Sequence, residues 1–248
     1  MGTALLEARS VTVRFGGLTA VDGISARFAA GELVGIIGPN GAGKTTFFNV
    51  LSGVLPPTSG RLLVAGDDLT GARPHRYAHH GIARTFQTPR VFAELTVAAN
   101  IGFGLQFAGR GRAAAPGLAD AAGILEVIGL SAHAAQPAAA ITPSQQRLLE
   151  IGMALATRPR LLLLDEVAAG LTEGEVEHMA RLIRGLRDDL ALTVIWIEHA
   201  VTTLLRHVER VLVLHQGCKI ADAAPAEVVR DARVIEAYLG DEMAQGTS

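Results

Sequence analysis

An α/β fold is predicted by three stretches, each an apolar run that ends in polar chemistry. The first is Leu33-Val34-Gly35-Ile36-Ile37, which leads into Gly38-Pro39-Asn40-Gly41-Ala42-Gly43-Lys44-Thr45-Thr46. That segment satisfies the phosphate-loop pattern G-x-x-x-x-G-K-[ST], with a buried strand before it and the first turns of a helix, Thr45 to Leu51, after it. The second is Leu161-Leu162-Leu163-Leu164, four leucines that signal a strand buried on both faces, closed by Asp165 and Glu166. The third is Leu192 to Ile197, a β-rich run that ends in Glu198-His199. In a parallel sheet the carboxyl ends of strands face the ligand crevice, so these ends are expected to share one site.

The residue types say what that site does. Glycines let the loop wrap tightly, so that backbone N–H groups and a helix N-terminus point at phosphate oxygens. Lys44 reaches the β and γ phosphates of ATP or GTP, and the Thr45 hydroxyl ligates Mg²⁺. A plain Gly-rich turn is the weaker reading, because the chain has only two lysines, Lys44 and Lys219, and one stands where the motif requires it. Asp165 holds Mg²⁺ directly or through water, and Glu166 orients and deprotonates the attacking water. An acidic strand-to-loop turn is the bland alternative, and the phosphate loop argues against it. His199 is placed to sense the γ-phosphate by a hydrogen bond, against an ordinary satisfied histidine at a strand end.

The remaining elements follow in order. Val11 to Phe15 alternates as a strand and stops at Gly16-Gly17; Phe15 either packs in a core, the commoner fate of an aromatic, or offers its face to a base. Ile24 to Phe28 and Leu62 to Val64 read as strands, with Gly60 and Gly66-Asp67-Asp68 as turns. Arg84-Thr85-Phe86-Gln87 follows Gly81-Ile82-Ala83, and by itself Gln87 reads as a solvated loop residue. From Phe92 to Ala156 the pattern is helical and Ala-rich, with loops at Gly109-Arg110-Gly111-Arg112 and Ala115-Pro116-Gly117; this is an inserted helical layer. Thr142-Pro143-Ser144-Gln145 is a helix start, with Thr as cap, Pro at the first helical position and Gln completing a capping box. Glu173 to Leu190 is a charged amphipathic helix, Val211 to Leu214 a last strand turned by Gln216-Gly217, and Pro225 to Tyr238 a closing helical region.

Composition bounds the rest. The chain has 248 residues, 49% of them hydrophobic, enough for one substantial core. A net charge of −2 argues against nucleic acid as a partner. The lone Cys218 allows no intrachain disulfide, and no apolar leader follows the N-terminus, which fits a reducing cytosol. No apolar run reaches the ~18 residues of a membrane span, and Met1-Gly2 lacks the Ser or Thr of a myristoylation site. Membrane contact therefore goes through a partner. His75, His79, His80 and His133 show no metal-ligand spacing.

The order phosphate loop, Phe-Gln, Leu₄-Asp-Glu and Glu-His resembles the nucleotide-binding subunits of ABC transporters over nearly the whole chain. Within that family it looks most like the branched-chain amino acid uptake type, through Phe15-Gly16-Gly17-Leu18, Arg84-Thr85-Phe86-Gln87, Gln145-Gln146-Arg147 and Val234-Ile235-Glu236-Ala237-Tyr238-Leu239-Gly240. The resemblance implies a P-loop NTPase (RecA-like) core with an antiparallel β subdomain and an inserted helical subdomain. All of this is one domain, with residues 1–87 and 157–248 forming the core and 88–156 the helical part. By resemblance Phe15 stacks on adenine, Gln87 is the Q-loop glutamine and a ligand to Mg²⁺, Asp165 is the Walker B carboxylate, Glu166 the catalytic base and His199 the switch histidine. Such subunits sandwich two ATP molecules in head-to-tail pairs, alike or different, and pass the motion to membrane permeases served by a solute-binding protein. They work on the inner face of the cell membrane.

One departure stands out. The family's signature is Leu-Ser-Gly-Gly-Gln or a close variant, and this chain has Ile141-Thr142-Pro143-Ser144-Gln145, without either glycine. Val167 after the catalytic glutamate and Ala200 after the switch histidine are smaller departures. The expected function is an ATPase subunit of an importer for branched-chain amino acids or a related small solute. The alternatives are a nucleotide-gated subunit with little hydrolysis of its own and a non-transport ABC ATPase.

Overall fold

The apolar runs of the sequence become strands of two sheets in the computed structural model, which describes residues 4–108, 115, 117–198 and 200–245, with the backbone alone for 240–245. Strands β1 (Ala4–Phe15) and β2 (Leu18–Ala29) form a long antiparallel hairpin. Strands β4 (Ser59–Val64) and β5 (Asp67–Asp68) extend it to an antiparallel sheet of order β2-β1-β4-β5. The second sheet contains β3 (Leu33–Ile37), β6 (Ile82–Arg84), β7 (Leu161–Asp165), β8 (Thr193–Ile197), β9 (Arg210–His215) and β10 (Cys218–Ala223). Its order is β10-β9-β3-β8-β7-β6, parallel throughout except for the antiparallel edge strand β10.

Every residue of β3, β7 and β8 is buried, and alternate side chains enter different cores as the pleat requires. Leu162, Leu164, Val194 and Trp196 join the core on the helical side. Leu161, Leu163, Ile195 and Ile197 join the core between the two sheets, with Phe28, Phe47 and Phe48. Each such side chain contributes about 1.5–3 kcal/mol, so these strands anchor everything attached to their ends. Pairing in register sets Asp165 beside Ile197 and Ile197 beside Ile36. The carboxyl ends of β3, β7 and β8 therefore lie side by side.

The helices are α1 (Lys44–Leu51), α2 (Pro74–His79), α3 (Val97–Gln106), α4 (Ala121–Val127), α5 (Pro143–Ala156), α6 (Glu173–Leu190), α7 (Val201–His207), α8 (Pro225–Val228) and α9 (Ala232–Gln245). Three expectations need correcting. The helical pattern expected from Phe92 starts only at Val97, where Thr96 caps α3, and short 3₁₀ turns break it before α5. Asp67-Asp68, expected as part of a turn, pairs with Leu63 and Val64 as the edge strand β5. Strand β1 begins at Ala4, not Val11; Ser10 at φ 46° and the register shift between Ala8 and Val11 interrupt the alternation that would have revealed its first half. The loop expected at Gly109-Arg110-Gly111-Arg112 lies outside the described residues, as does Pro116. Among the described residues no helix is long and apolar enough to cross a membrane.

Candidate nucleotide site

The phosphate loop, residues 38–46, closes around its own lysine. Lys44 is buried and its Nζ donates to the carbonyl oxygens of Gly38 at 2.6 Å and Pro39 at 2.9 Å. Two glycines are obligatory here. Gly43, at φ 94°, is the residue before α1, and a side chain there would strike the Ala20 carbonyl; Gly38, at φ 153°, would strike that of Leu214. Helix α1 has no side-chain cap at its start, so the amides of its first turn are available to an anion.

Asn40 to Thr46 line an open cleft of about 610 Å³ that also takes in Phe15, Leu18, Gln216, Gly217 and Glu166. Thr45 is exposed on it and Thr46 half-buried. Phe15 is 51% exposed at the end of β1, so the core packing favoured by residue type alone is not what the fold gives it.

At the end of β7, Asp165 and Glu166 are both buried. Asp165 accepts a hydrogen bond at 3.0 Å from Arg84 Nη2, whose other arm donates to Asn49 Oδ1 and Ser52 Oγ of the α1 region. Glu166 has φ 51°, a left-handed conformation that costs a non-glycine residue about 1 kcal/mol or more and that recurs at functional sites. Its N–H donates to the Ile197 carbonyl at 3.0 Å, and its Oε2 accepts from Gln87 Nε2 at 2.7 Å. The structure thus brings Gln87 onto Glu166 and places Asp165 next to it. His199 lies outside the described residues. Its neighbour Glu198 is buried at the end of β8, where Oε1 accepts from the Ala168 N–H at 2.7 Å and from Trp196 Nε1 at 3.1 Å.

The loop before α5 is capped as its sequence predicts. Thr142 Oγ1 accepts from the Gln145 N–H, Gln145 Oε1 accepts from the Thr142 N–H, and Pro143 takes the first helical position. At the start of α6 the Thr172 backbone N–H and hydroxyl donate to Glu175 and hold its carboxyl below its ordinary value, with the nearby Ser144 hydroxyl adding to the effect. Helix α6 has its own capping box, Thr172 with Glu175.

Sequence reasoning gave no role to several residues that tie the site together. Arg147, on α5, donates to the carbonyl oxygens of Glu166 at 3.0 Å, Ala169 at 2.7 Å and Gln87 at 3.5 Å. One turn on, Glu150 is buried and accepts from the N–H groups of Phe86 and Arg90. Burial pushes its carboxyl up to about 7, against the pull of those two amides and of the Arg147 and Arg90 charges. Glu150 also lines a groove of about 350 Å³ with Val54, Ile82, Phe86, Arg90 and Met153, none of which lines the nucleotide cleft. Tyr238, on α9, packs near the Gly38 backbone, and burial pushes its hydroxyl up to about 12. Spacing in sequence shows none of these contacts, since each joins segments that only the fold brings together.

Comparison with known proteins shows the family. The family described as "ABC transporter" matches residues 21–169, and "Branched-chain amino acid ATP-binding cassette transporter" matches residues 218–244. The high-affinity branched-chain amino acid transport ATP-binding protein BraF of Pseudomonas aeruginosa is 37% identical over 255 residues, which cover 97% of this chain and 100% of that protein. LivG of Escherichia coli, a protein of the same description, is 37% identical over 254 residues, covering 97% and 100%. A solved ATP-binding cassette of an ABC transporter in its ADP conformation superposes with a TM-score of 0.84 at 31% identity, covering 96% of this chain and 99% of that one. With its two-sheet architecture, its phosphate loop and its paired strand-end carboxylates, the chain belongs to the ABC transporter ATP-binding proteins, in the branched-chain amino acid type.

Proposed function

We propose that this chain is the ATP-hydrolysing subunit of a membrane importer for branched-chain amino acids or a related small solute, held on the inner face of the membrane by permease subunits and paired head-to-tail with a second cassette. The observation that carries the proposal is that the phosphate loop and Glu166 line one cleft, with Gln87 2.7 Å from the Glu166 carboxylate and Asp165 preceding it at the end of β7.

The residues present fit ATP and Mg²⁺. The uncapped start of α1 and Lys44 suit the β and γ phosphates, and the half-exposed Phe15 ring suits a purine. Thr45 and Asp165, with Gln87, would hold Mg²⁺, which when bound shares the charge of the triphosphate. Glu166 takes the proton of a water whose oxygen bonds to the γ-phosphorus as the bond to the leaving ADP oxygen breaks. Gln87 holds that carboxylate in place. The groove beside the Phe86–Arg90 loop is the part of this surface best suited to a permease segment, because what sits there is one loop away from Gln87.

A second cassette with its own signature would complete the site of Lys44, while Thr142, Pro143, Ser144 and Gln145 would face the partner's nucleotide. The test is uptake of labelled leucine by vesicles that contain this chain, its partner cassette and both permeases, with ATP inside. ATP-dependent uptake that stops with Lys44→Ala is expected; ATPase activity indifferent to the permeases would sink the transport reading.

A further inference from the structure

Helix α5 grips the loop of Gln87 by its backbone from two side chains one turn apart. Arg147 donates to the Gln87 carbonyl, and Glu150, three residues on, accepts from the amides on either side, Phe86 at 3.4 Å and Arg90 at 3.0 Å. The same Arg147 donates to the Glu166 carbonyl, so the loop and the strand end are fastened to one rigid element. A carboxylate is a costly way to fill space. Glu150 is 6% exposed, and an apolar side chain would pack there with no charge to desolvate. What a carboxylate supplies and a leucine lacks is a pair of oxygens spaced for two amides.

We propose that Glu150 is a positioning residue for ATP hydrolysis, which by holding the Phe86 and Arg90 amides keeps Gln87 within hydrogen-bond reach of Glu166. The assignment rests on the reading of Gln87 and Glu166 given above. Without Glu150 the loop loses two of its fastenings to α5, and the Gln87 amide no longer has a fixed origin from which to meet the carboxylate. Nucleotide binding at the phosphate loop does not pass through this contact, so affinity for ATP measured without Mg²⁺ is spared.

The test is a double-mutant cycle in the assembled transporter, with kcat for MgATP and the affinity for ATP without Mg²⁺ measured for the wild type, Glu150→Ala, Gln87→Ala and the double variant, and thermal unfolding run alongside. Glu150→Ala is expected to lower kcat about ten- to a hundredfold, as misplacement of a catalytic group by about an ångström does, with the affinity for ATP without Mg²⁺ changed less than about twofold. In the Gln87→Ala background the same change should cost nothing more. Glu150→Gln, which keeps the shape and one of the two acceptor oxygens, should recover part of the loss, and it carries the test if Glu150→Ala fails to fold. Multiplicative losses in the double variant, or a normal kcat in both Glu150 variants beside a slow Gln87→Ala, would overturn this inference alone. A normal kcat in Gln87→Ala would overturn the role of Gln87 and this inference with it.

Discussion

Helices α1 and α5 both begin at a loop that a nucleotide would meet, and they begin in opposite ways. Before α1 stands Gly43, left-handed and without a side chain to cap the helix. Before α5 stands Thr142, whose hydroxyl takes the Gln145 amide, followed by Pro143, which has no amide to give. A helix start that supplies its own cap is stable by itself and has less left for an anion. One that leaves its cap out is organised for a ligand. In the first case the backbone is the binding surface; in the second the side chains have already consumed it. In a head-to-tail pair with a different cassette whose signature keeps its glycines, the two nucleotide sites would therefore be unequal.

The largest test breaks the first half of this comparison. Lys44→Ala should weaken MgATP binding by about a thousandfold, the loss of two charge-assisted hydrogen bonds at about 1.5–3 kcal/mol each. Equilibrium binding and thermal unfolding measure it; unchanged affinity with an intact fold would mean that the start of α1 is not a phosphate site. Glu166→Gln comes next. Turnover should fall about a hundredfold or more while nucleotide still binds, within the range for loss of a general base, and single-turnover hydrolysis in the assembled transporter decides it.

The third change addresses α5. Pro143→Gly with Ser144→Gly restores an amide and open space, and should raise hydrolysis at the partner's site by about tenfold, the value of one hydrogen bond to a charged group. Mixed assemblies with one phosphate-loop lysine changed at a time show which site responds. Equal losses from the two lysine changes would remove the asymmetry. The smallest effect is that of Thr142→Ala, about 1 kcal/mol of stability at the start of α5. Faster amide exchange at Gln145, with unaltered MgATP binding, is the expected result.

What the sequence made legible is what a single residue type can do alone. The phosphate loop could be read because only glycine fits at positions 38 and 43, and because Lys44 is one of two lysines in the chain. Strands β3, β7 and β8 could be read because burial on both faces demands unbroken apolar runs. Strand β5 could not, since Asp67-Asp68 has the composition of a turn and becomes a strand only by pairing with β4. Arg84, Arg147, Glu150 and Glu198 were illegible for a related reason. A charged residue on an amphipathic helix or at a strand end looks solvated, while Arg84 meets Asp165 81 residues away, Arg147 meets Glu166 19 away, Glu150 meets Phe86 64 away and Glu198 meets Ala168 30 away. Phe15 fell between these cases, since an aromatic at a strand end says nothing of which side of the chain remains open.

Strand β3 carries the phosphate loop, yet both of its neighbours, β8 and β9, come from the last quarter of the chain. During synthesis, at about 5–20 residues per second, Leu33 to Ile37 therefore wait some 10–30 s for the strands that cover them. The loop cannot take its final shape before then, because Leu214, whose carbonyl packs against Gly38, has not been made. The oldest chemistry in the chain is the last to be assembled, and an apolar pentapeptide stays unpaired meanwhile. A ribosome-bound chain halted before residue 193 should accordingly bind no MgATP and should be a substrate for holding chaperones, whatever the quality of its phosphate-loop motif.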